Sequence, residues 1–169
     1  MVEKVNKLIV ICMVGAPCSG KSTWVLENTP KLQEHFDADV IVISRDIIRE
    51  TEFGVKYVET PKEEAIVTNK FYDQLRRAMT LNKAVIVLDN THMTNRTIDS
   101  YISTFGPLIN SGKMEFYIKF LKIPYYMMKL RNFWRHYKTG RYINTDVLMR
   151  FYNMYNNLNI KKYQQWETF

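Results

Sequence analysis

An unbroken apolar run that ends in a glycine-rich phosphate-binding string leaves a chain few folds to choose from. Here Leu8-Ile9-Val10-Ile11-Cys12-Met13-Val14 runs directly into Gly15-Ala16-Pro17-Cys18-Ser19-Gly20-Lys21-Ser22-Thr23. A strand that is apolar at every position is buried on both faces, which is the setting of a parallel sheet. The string matches GxxxxGK followed by Ser or Thr, and it sits between a strand and a helix, the context that gives the motif its meaning. Its glycines let backbone amides curl around a phosphate. Lys21 supplies a cation for the β/γ-phosphates, and Ser22 offers a hydroxyl to Mg²⁺ at the start of the helix. Residues 15–23 are therefore expected to hold a nucleoside triphosphate, ATP or GTP, with Mg²⁺ as cofactor. Within the loop Cys18 reads as a tolerated, inert side chain, and Thr23 and Trp24 as residues packing on the first helix.

The rest of the chain repeats the strand-then-helix rhythm. Val40–Ser44, Ala84–Leu88 and Met114–Leu121 are further strand candidates. Pro61 suits a first helical turn, and Ala65, Tyr72, Leu75 and Met79 form one stripe in the helix that follows, up to Leu81. Thr94–Phe105 reads as a helix broken by Gly106-Pro107, after which the chain continues to Gly112. Pro124–Tyr137 is another, and Thr145 is the expected cap of a last helix with Leu148, Phe151, Tyr155 and Leu158 on one face. Alternating strands and helices predict an α/β fold with a mostly parallel central sheet and ligand at the carboxyl ends of its strands. One domain over 1–169 is expected, without internal repeat or linker.

Composition removes several classes. At 46% hydrophobic and 24% charged residues the chain is ordinary for a globular protein. Its apolar runs fall well short of the ~20 residues that cross a bilayer, and no signal-peptide pattern precedes them, so a cytoplasmic protein without a membrane partner is expected. Cys12 and Cys18 are the only cysteines and suggest neither a disulfide framework nor a zinc site. The net charge of +7 is uneven. Residues 117–169 carry ten Lys/Arg against Asp146 and Glu167, a net of +8, whereas the first 116 residues hold fourteen basic and fifteen acidic residues, a net of −1. Such asymmetry fits a polyanionic partner or a solvated basic surface.

Three further segments carry a resemblance. Ser44-Arg45-Asp46-Ile47-Ile48-Arg49 follows the second strand, Asp89-Asn90-Thr91-His92-Met93-Thr94 the third, and Ile123-Pro124-Tyr125-Tyr126 leads to Arg131-Asn132-Phe133-Trp134-Arg135. In this order, with Asn144-Thr145-Asp146-Val147-Leu148 and Phe151-Tyr152-Asn153-Met154-Tyr155 behind them, they resemble the kinase domain of phage-type 5′-polynucleotide kinases, from about Lys7 to Leu158. The resemblance implies a P-loop kinase fold with a C-terminal helical lid at about 131–144. It also implies transfer of a γ-phosphate to a 5′-hydroxyl of DNA or RNA, at single strands or exposed ends, in the cytoplasm of a bacterial or phage-infected cell.

It implies roles residue by residue. Asp46 becomes the general base, and the residues support this independently, because an Asp at the end of the strand beside the phosphate-loop strand reaches the γ-phosphate region. Its alternative is a helix N-cap. Arg49 would orient Asp46 and touch the acceptor's phosphate, and Arg45 would be a further substrate contact. Asp89 belongs near the Mg²⁺ shell or the acceptor cleft, or is a strand-end turn residue. His92 reads as a solvent-facing loop residue, with a place in the lining of the acceptor cleft as its alternative. Arg131 and Arg135, four apart and on one helix face, match the family's lid arginines, with Arg135 neutralising charge during transfer and His136–Asn144 forming the mobile segment.

Asp37-Ala38-Asp39 lacks the preceding strand and following Thr of the phosphatase mark found in many fused relatives, and reads as a charged turn. The chain thus resembles the kinase module alone, or one cut from a larger protein. Two alternatives stay open: a kinase of nucleosides or nucleotides, since one scaffold serves many acceptors, and a non-catalytic binding module. No aromatic stacking platform is expected, because the eleven Tyr are spread and those in 152–163 fit helix packing.

Overall fold

The computed structural model describes residues 6–55 and 60–169. Among them run four strands, β1 (Leu8–Val14), β2 (Val40–Ile43), β3 (Ala84–Leu88) and β4 (Met114–Phe120), and six α-helices: α1 (Lys21–Phe36), α2 (Arg45–Phe53), α3 (Pro61–Met79), α4 (Asn95–Asn110), α5 (Tyr125–Thr139) and α6 (Thr145–Met154). The sheet is parallel throughout, in the order β2-β3-β1-β4. Each strand returns to the next through a helix, as parallel pairing demands. No helix among the described residues is long and apolar enough to cross a membrane.

Side-chain alternation along β1 divides the interior in two. Leu8, Val10, Cys12 and Val14 face Val67, Phe71 and Leu75 of α3 and Ile98, Tyr101 and Phe105 of α4. Ile9, Ile11 and Met13 face Val25, Leu32 and Phe36 of α1. Trp166 joins that second layer, where the C-terminal segment lies along β4 through an Ile118–Gln165 bridge. With every β1 residue buried, the central strand is held from both sides, and its carboxyl end presents the phosphate loop.

Several boundaries differ from the sequence expectation. The buried stripe of α3 is Val67, Phe71, Leu75 and Ala78, whereas Ala65 and Tyr72 are exposed. The two sets differ by about one residue of phase: in a helix opened by the capping box of Thr60 and Glu63 with Pro61 at the first turn, the purely apolar ring of Phe71 goes inward and Tyr72, with its hydroxyl, stays outside. The fourth helix continues through Gly106-Pro107 to Asn110. Proline there removes a hydrogen bond, but Phe105 before it and Leu108 and Ile109 after it all pack on the core. Asn144, not Thr145, caps α6, accepting the Asp146 N–H at 2.9 Å. Both β2 and β4 end one residue early.

His92 is buried rather than solvent-facing. The chain after β3 crosses the end of β1, where the Gly15 N–H bonds the Thr91 carbonyl at 3.1 Å, and a left-handed turn at His92 (φ 43°) accompanies its inward placement. Its Nδ1 lies 2.8 Å from the Met13 carbonyl and its Nε2 3.2 Å from the Tyr101 hydroxyl. Carbonyl oxygen only accepts, so Nδ1–H donates to Met13 and Nε2 accepts from Tyr101. Burial pushes the imidazole down to about 4. A group depressed in this way adds stability that is complete above its unfolded value, about 6.5, and vanishes as pH falls through the folded value. Urea denaturation of the wild type between pH 6.5 and 4 therefore loses stability more steeply than that of His92→Gln; parallel slopes would refute this role.

Candidate functional site

The phosphate loop is held by residues of neighbouring elements. A Cβ at Gly15 would stand 2.7 Å from the Leu121 carbonyl oxygen, too close for any other residue, and Gly20 sits at φ 101°, which only glycine adopts readily. Leu121, just past β4, donates its N–H to the Val14 carbonyl at 2.8 Å. The Tyr155 hydroxyl then joins the pieces, accepting the Ala16 N–H and donating to the Leu121 carbonyl, each at 2.8 Å. Pro17 and Cys18 are half-buried, Cys18 at φ 64°, and Thr23 is exposed at the start of α1.

Lys21 is buried, with Nζ donating to the Gly15 and Ala16 carbonyls at 2.8 Å each. Burial lowers its pKa to about 8, opposed by the negative charge of Asp89 and, further down, of Asp46. A triphosphate placed among these groups restores the favourable environment for the cation. Ser22 donates its hydroxyl to Asp89 Oδ2 at 3.0 Å, and burial raises the Asp89 pKa despite that bond. A hydroxyl and a carboxylate oxygen side by side are the hard donors Mg²⁺ takes, completed by phosphate oxygens and water rather than by a protein cage. The pair fits that ion.

Asp46 lies in the first turn of α2 but does not cap it. Ser44 is the N-cap residue and makes no side-chain cap bond; instead Asn90 reaches across from the end of β3 and accepts the Arg45 N–H at 3.1 Å. The strand before Asp46 is also not the neighbour of β1, because β3 lies between them. It is Asp89, on β3, that ends the adjacent strand, with Asp46 one strand farther out. Arg49 binds Asp46 Oδ1 through Nη1 at 2.8 Å and grips Glu64 of α3 with Nε and Nη2 at 3.0 and 2.7 Å. Arg45 bonds Glu64 at 3.3 Å and Thr68 at 2.9 Å. Hydrogen bonding from Arg49 holds the Glu64 carboxyl below the usual carboxylate range. Glu64 thus fixes Arg49, which fixes one oxygen of Asp46.

The two arginines of α5 differ. Arg131 Nη1 donates to the Ser19 and Cys18 carbonyls at 3.1 and 3.3 Å and so fastens α5 to the phosphate loop. Arg135, one turn on, has Nε and Nη2 buried without a hydrogen-bond partner. A buried cation with open donors is costly unless an anion fills the space. The helix expected to end at Tyr137 runs on as α5 to Thr139, and the loop that follows is 140–144. Asn132, buried in α5, clamps that loop by donating to the Ile143 carbonyl at 2.7 Å and accepting its N–H at 3.1 Å.

Two clefts meet here. One, about 570 Å³, lies over the loop between Ser19, Gly20, Thr23, Arg131 and Arg141. The other, about 630 Å³, lies between Arg45, Arg49, Asp89, Asn90 and the α6 residues Val147 and Phe151. Cys18, Lys21, Ser22, Asp46 and Arg135 line both, so the expected donor-side and acceptor-side residues share one wall. Residues that the sequence reading passed over are Glu64, Asn90 as a cap, Tyr155 as a tether, and Arg141, which pairs with Glu50 at 3.5 Å. Each acts across more than 40 positions of chain or from another element, so Asn90, Tyr155 and Arg141, although they lie in segments already singled out, carry roles that those segments do not reveal.

Tyr155→Phe orphans the Ala16 N–H and the Leu121 carbonyl together. The substitution costs about 1–3 kcal/mol of stability and weakens nucleotide binding; thermal melts with and without ATP and Mg²⁺ read both effects, and an unchanged melt would remove the hydroxyl from the loop's support.

The family described as "AAA domain" matches residues 10–157. No curated protein matches the chain. Among solved structures, a chain of the Pnkp1/Rnl/Hen1 RNA repair complex superposes with a TM-score of 0.72 at 17% identity, over 93% of this chain and 48% of that one. A chain from a second Pnkp1/Rnl/Hen1 complex gives 0.58 at 19%, over 76% and 40%, and APE1195 gives 0.56 at 17%, over 82% and 73%. At these identities the likeness concerns the fold, and the chain spans less than half the length of the two repair-complex chains. With a phosphate loop between β1 and α1, a parallel sheet in the order 2-3-1-4 and a family match over most of its length, the chain belongs to the AAA domain family and has a P-loop kinase fold built to bind a nucleotide.

Proposed function

We propose that the protein transfers the γ-phosphate of ATP or GTP to the 5′-hydroxyl of DNA or RNA. The observation that carries this reading is the shared wall of the two clefts, where Lys21, Asp46 and Arg135 face one space. The likeness to the Pnkp1/Rnl/Hen1 RNA repair complex supports it at the level of fold.

In this reading residues 15–23 hold the triphosphate, with Lys21 at the β/γ-phosphates. Ser22, with Asp89 beside it, would hold Mg²⁺, which screens phosphate charge when bound. The acceptor enters the second cleft, its phosphate meeting Arg49 and Arg45. Asp46, with one oxygen held by Arg49, takes the proton of the 5′-hydroxyl as that oxygen attacks the γ-phosphorus. The bond from phosphorus to the β–γ bridging oxygen breaks, and the nucleoside diphosphate leaves with its electron pair. Arg135, whose open donors already need an anion, stabilises the charge spread over the passing phosphoryl group, a contribution worth about 10³–10⁵ in rate for such arginines. The basic stretch 117–169 favours a polymeric acceptor over a nucleoside.

Incubation with γ-labelled ATP, Mg²⁺ and a 5′-hydroxyl oligonucleotide, with free nucleoside and 5′-phosphorylated oligonucleotide in parallel, tests the reading. Label goes to the 5′-hydroxyl oligonucleotide alone. Asp46→Asn keeps ATP affinity and loses about 10²–10⁴ of the rate, and Lys21→Ala loses both. Label on the nucleoside alone would make the protein a small-molecule kinase, and an Asp46→Asn variant of full activity would unseat the base.

A further inference from the structure

The side of α5 opposite its buried residues is apolar and bare. Tyr126, Leu130, Phe133, Trp134 and Tyr137 stand between 48% and 78% exposed. Their spacing puts them on one side of the helix, while Met128 and Asn132 go inward and Arg131 and Arg135 line the loop cleft. Three of the rings touch edge to face, Phe133 with Trp134 at 6.1 Å between centroids and Trp134 with Tyr137 at 6.3 Å. Contiguous apolar surface of this kind on a soluble domain marks a binding site more often than not. Counting tyrosines along the chain hides the cluster, because only the helix brings a Phe, a Trp and a Tyr together.

The charge around the cluster selects the occupant. Lys129 lies one turn before Phe133 and Lys138 one turn after Trp134, both exposed, and Asp146 is the only acidic residue between 117 and 166. α5 itself carries no carboxylate with which to receive a basic protein partner. A nucleic acid brings both what the rings take, since every base has a π-face, and what the lysines take, since every nucleotide has a phosphate.

We propose that this face of α5 is a stacking surface for single-stranded nucleic acid, with bases on Phe133, Trp134 and Tyr137 and phosphates on Lys129 and Lys138. From Tyr126 to Tyr137 the stripe is about 16 Å long at 1.5 Å per residue, room for about four stacked nucleotides at 3.4 Å each. The surface rests on the polynucleotide reading for the class of polymer, but it lies outside the transfer site, so each stands or falls by its own readout.

The test is fluorescence anisotropy of a labelled, 5′-phosphorylated single strand, which binds without being a substrate. The wild type binds it in a salt-dependent manner with quenching of tryptophan emission. Trp134→Ala and Tyr137→Ala each weaken binding about tenfold, while Trp134→Phe and Tyr137→Phe keep most of it. Both positions are exposed, so circular dichroism melts of the alanine variants stay close to wild type. Unchanged affinity in the double alanine variant overturns the proposal. So does a concentration-dependent dimer that the double variant abolishes without change in strand binding, which would make the face a contact between copies. Strand binding lost in the variants, with no phosphate transfer in the wild type, upholds the surface and removes the kinase reading; transfer to oligonucleotides by a double variant of unchanged affinity does the reverse.

Discussion

The contact of Gly15 with the backbone of Leu121 decides where everything else in the site can stand. No side chain fits between them, so the phosphate loop and the end of β4 are locked at backbone distance, and the Leu121 N–H closes the lock on Val14. Four residues past Leu121, at Tyr125, α5 begins. The position of α5 over the loop is therefore set by the sheet itself, and Arg131 and Tyr155 reinforce a geometry that strand pairing has already imposed. A small apolar cluster of Ala16, Met93, Met128, Leu148 and Tyr155 packs loop, lid and α6 into the same unit.

On this frame the cations are partitioned by their partners. Arg45 and Arg49 converge on Glu64, and Arg131 on loop carbonyls, so three guanidinium groups are structural before any ligand arrives. Lys21 and Arg135 are the exceptions. Lys21 is buried and donates only to neutral carbonyls, and its lowered pKa records the cost. Arg135 is buried on two nitrogens and donates from neither. Phosphate oxygens would answer both, adding to the Asp89 and Asp46 charges that already favour the Lys21 cation, which is why a triphosphate is the ligand that suits these two groups. On the side proposed for the acceptor the logic is reversed, since Arg49 holds one Asp46 oxygen while the carboxylate itself stays largely in solvent.

Much of this was legible in the sequence because it was local. The phosphate loop is nine consecutive residues, β1 and β3 are apolar from end to end, and Arg49 meets Asp46 across a single helical turn. The errors came where long-range packing overrode local signals. Gly106-Pro107 looks like a break, but core contacts on both sides carry α4 through it. His92 looks like a loop residue, but the β3 exit crosses the end of β1 and places it between Met13 and Tyr101. Strand order is likewise invisible in one chain: the expectation that Asp46 ends the strand next to β1 fails because β3 inserts between them, and Asp89 takes that place. Glu64 lies outside every motif, Asn90 and Tyr155 lie inside segments that reveal neither role, and all three roles exist only once the helices are assembled.

The central claim is that nucleotide and acceptor meet at the wall lined by Lys21, Asp46 and Arg135. A crystal structure with a non-hydrolysable ATP analogue, Mg²⁺ and a 5′-hydroxyl oligonucleotide examines it directly. The account predicts the terminal phosphate against Lys21 and the open donors of Arg135, with the 5′-oxygen at hydrogen-bond distance, about 2.6–3.2 Å, from Asp46. A 5′-oxygen held by another group, with Asp46 bonded to Arg49 alone and Arg135 turned out to solvent, would contradict it.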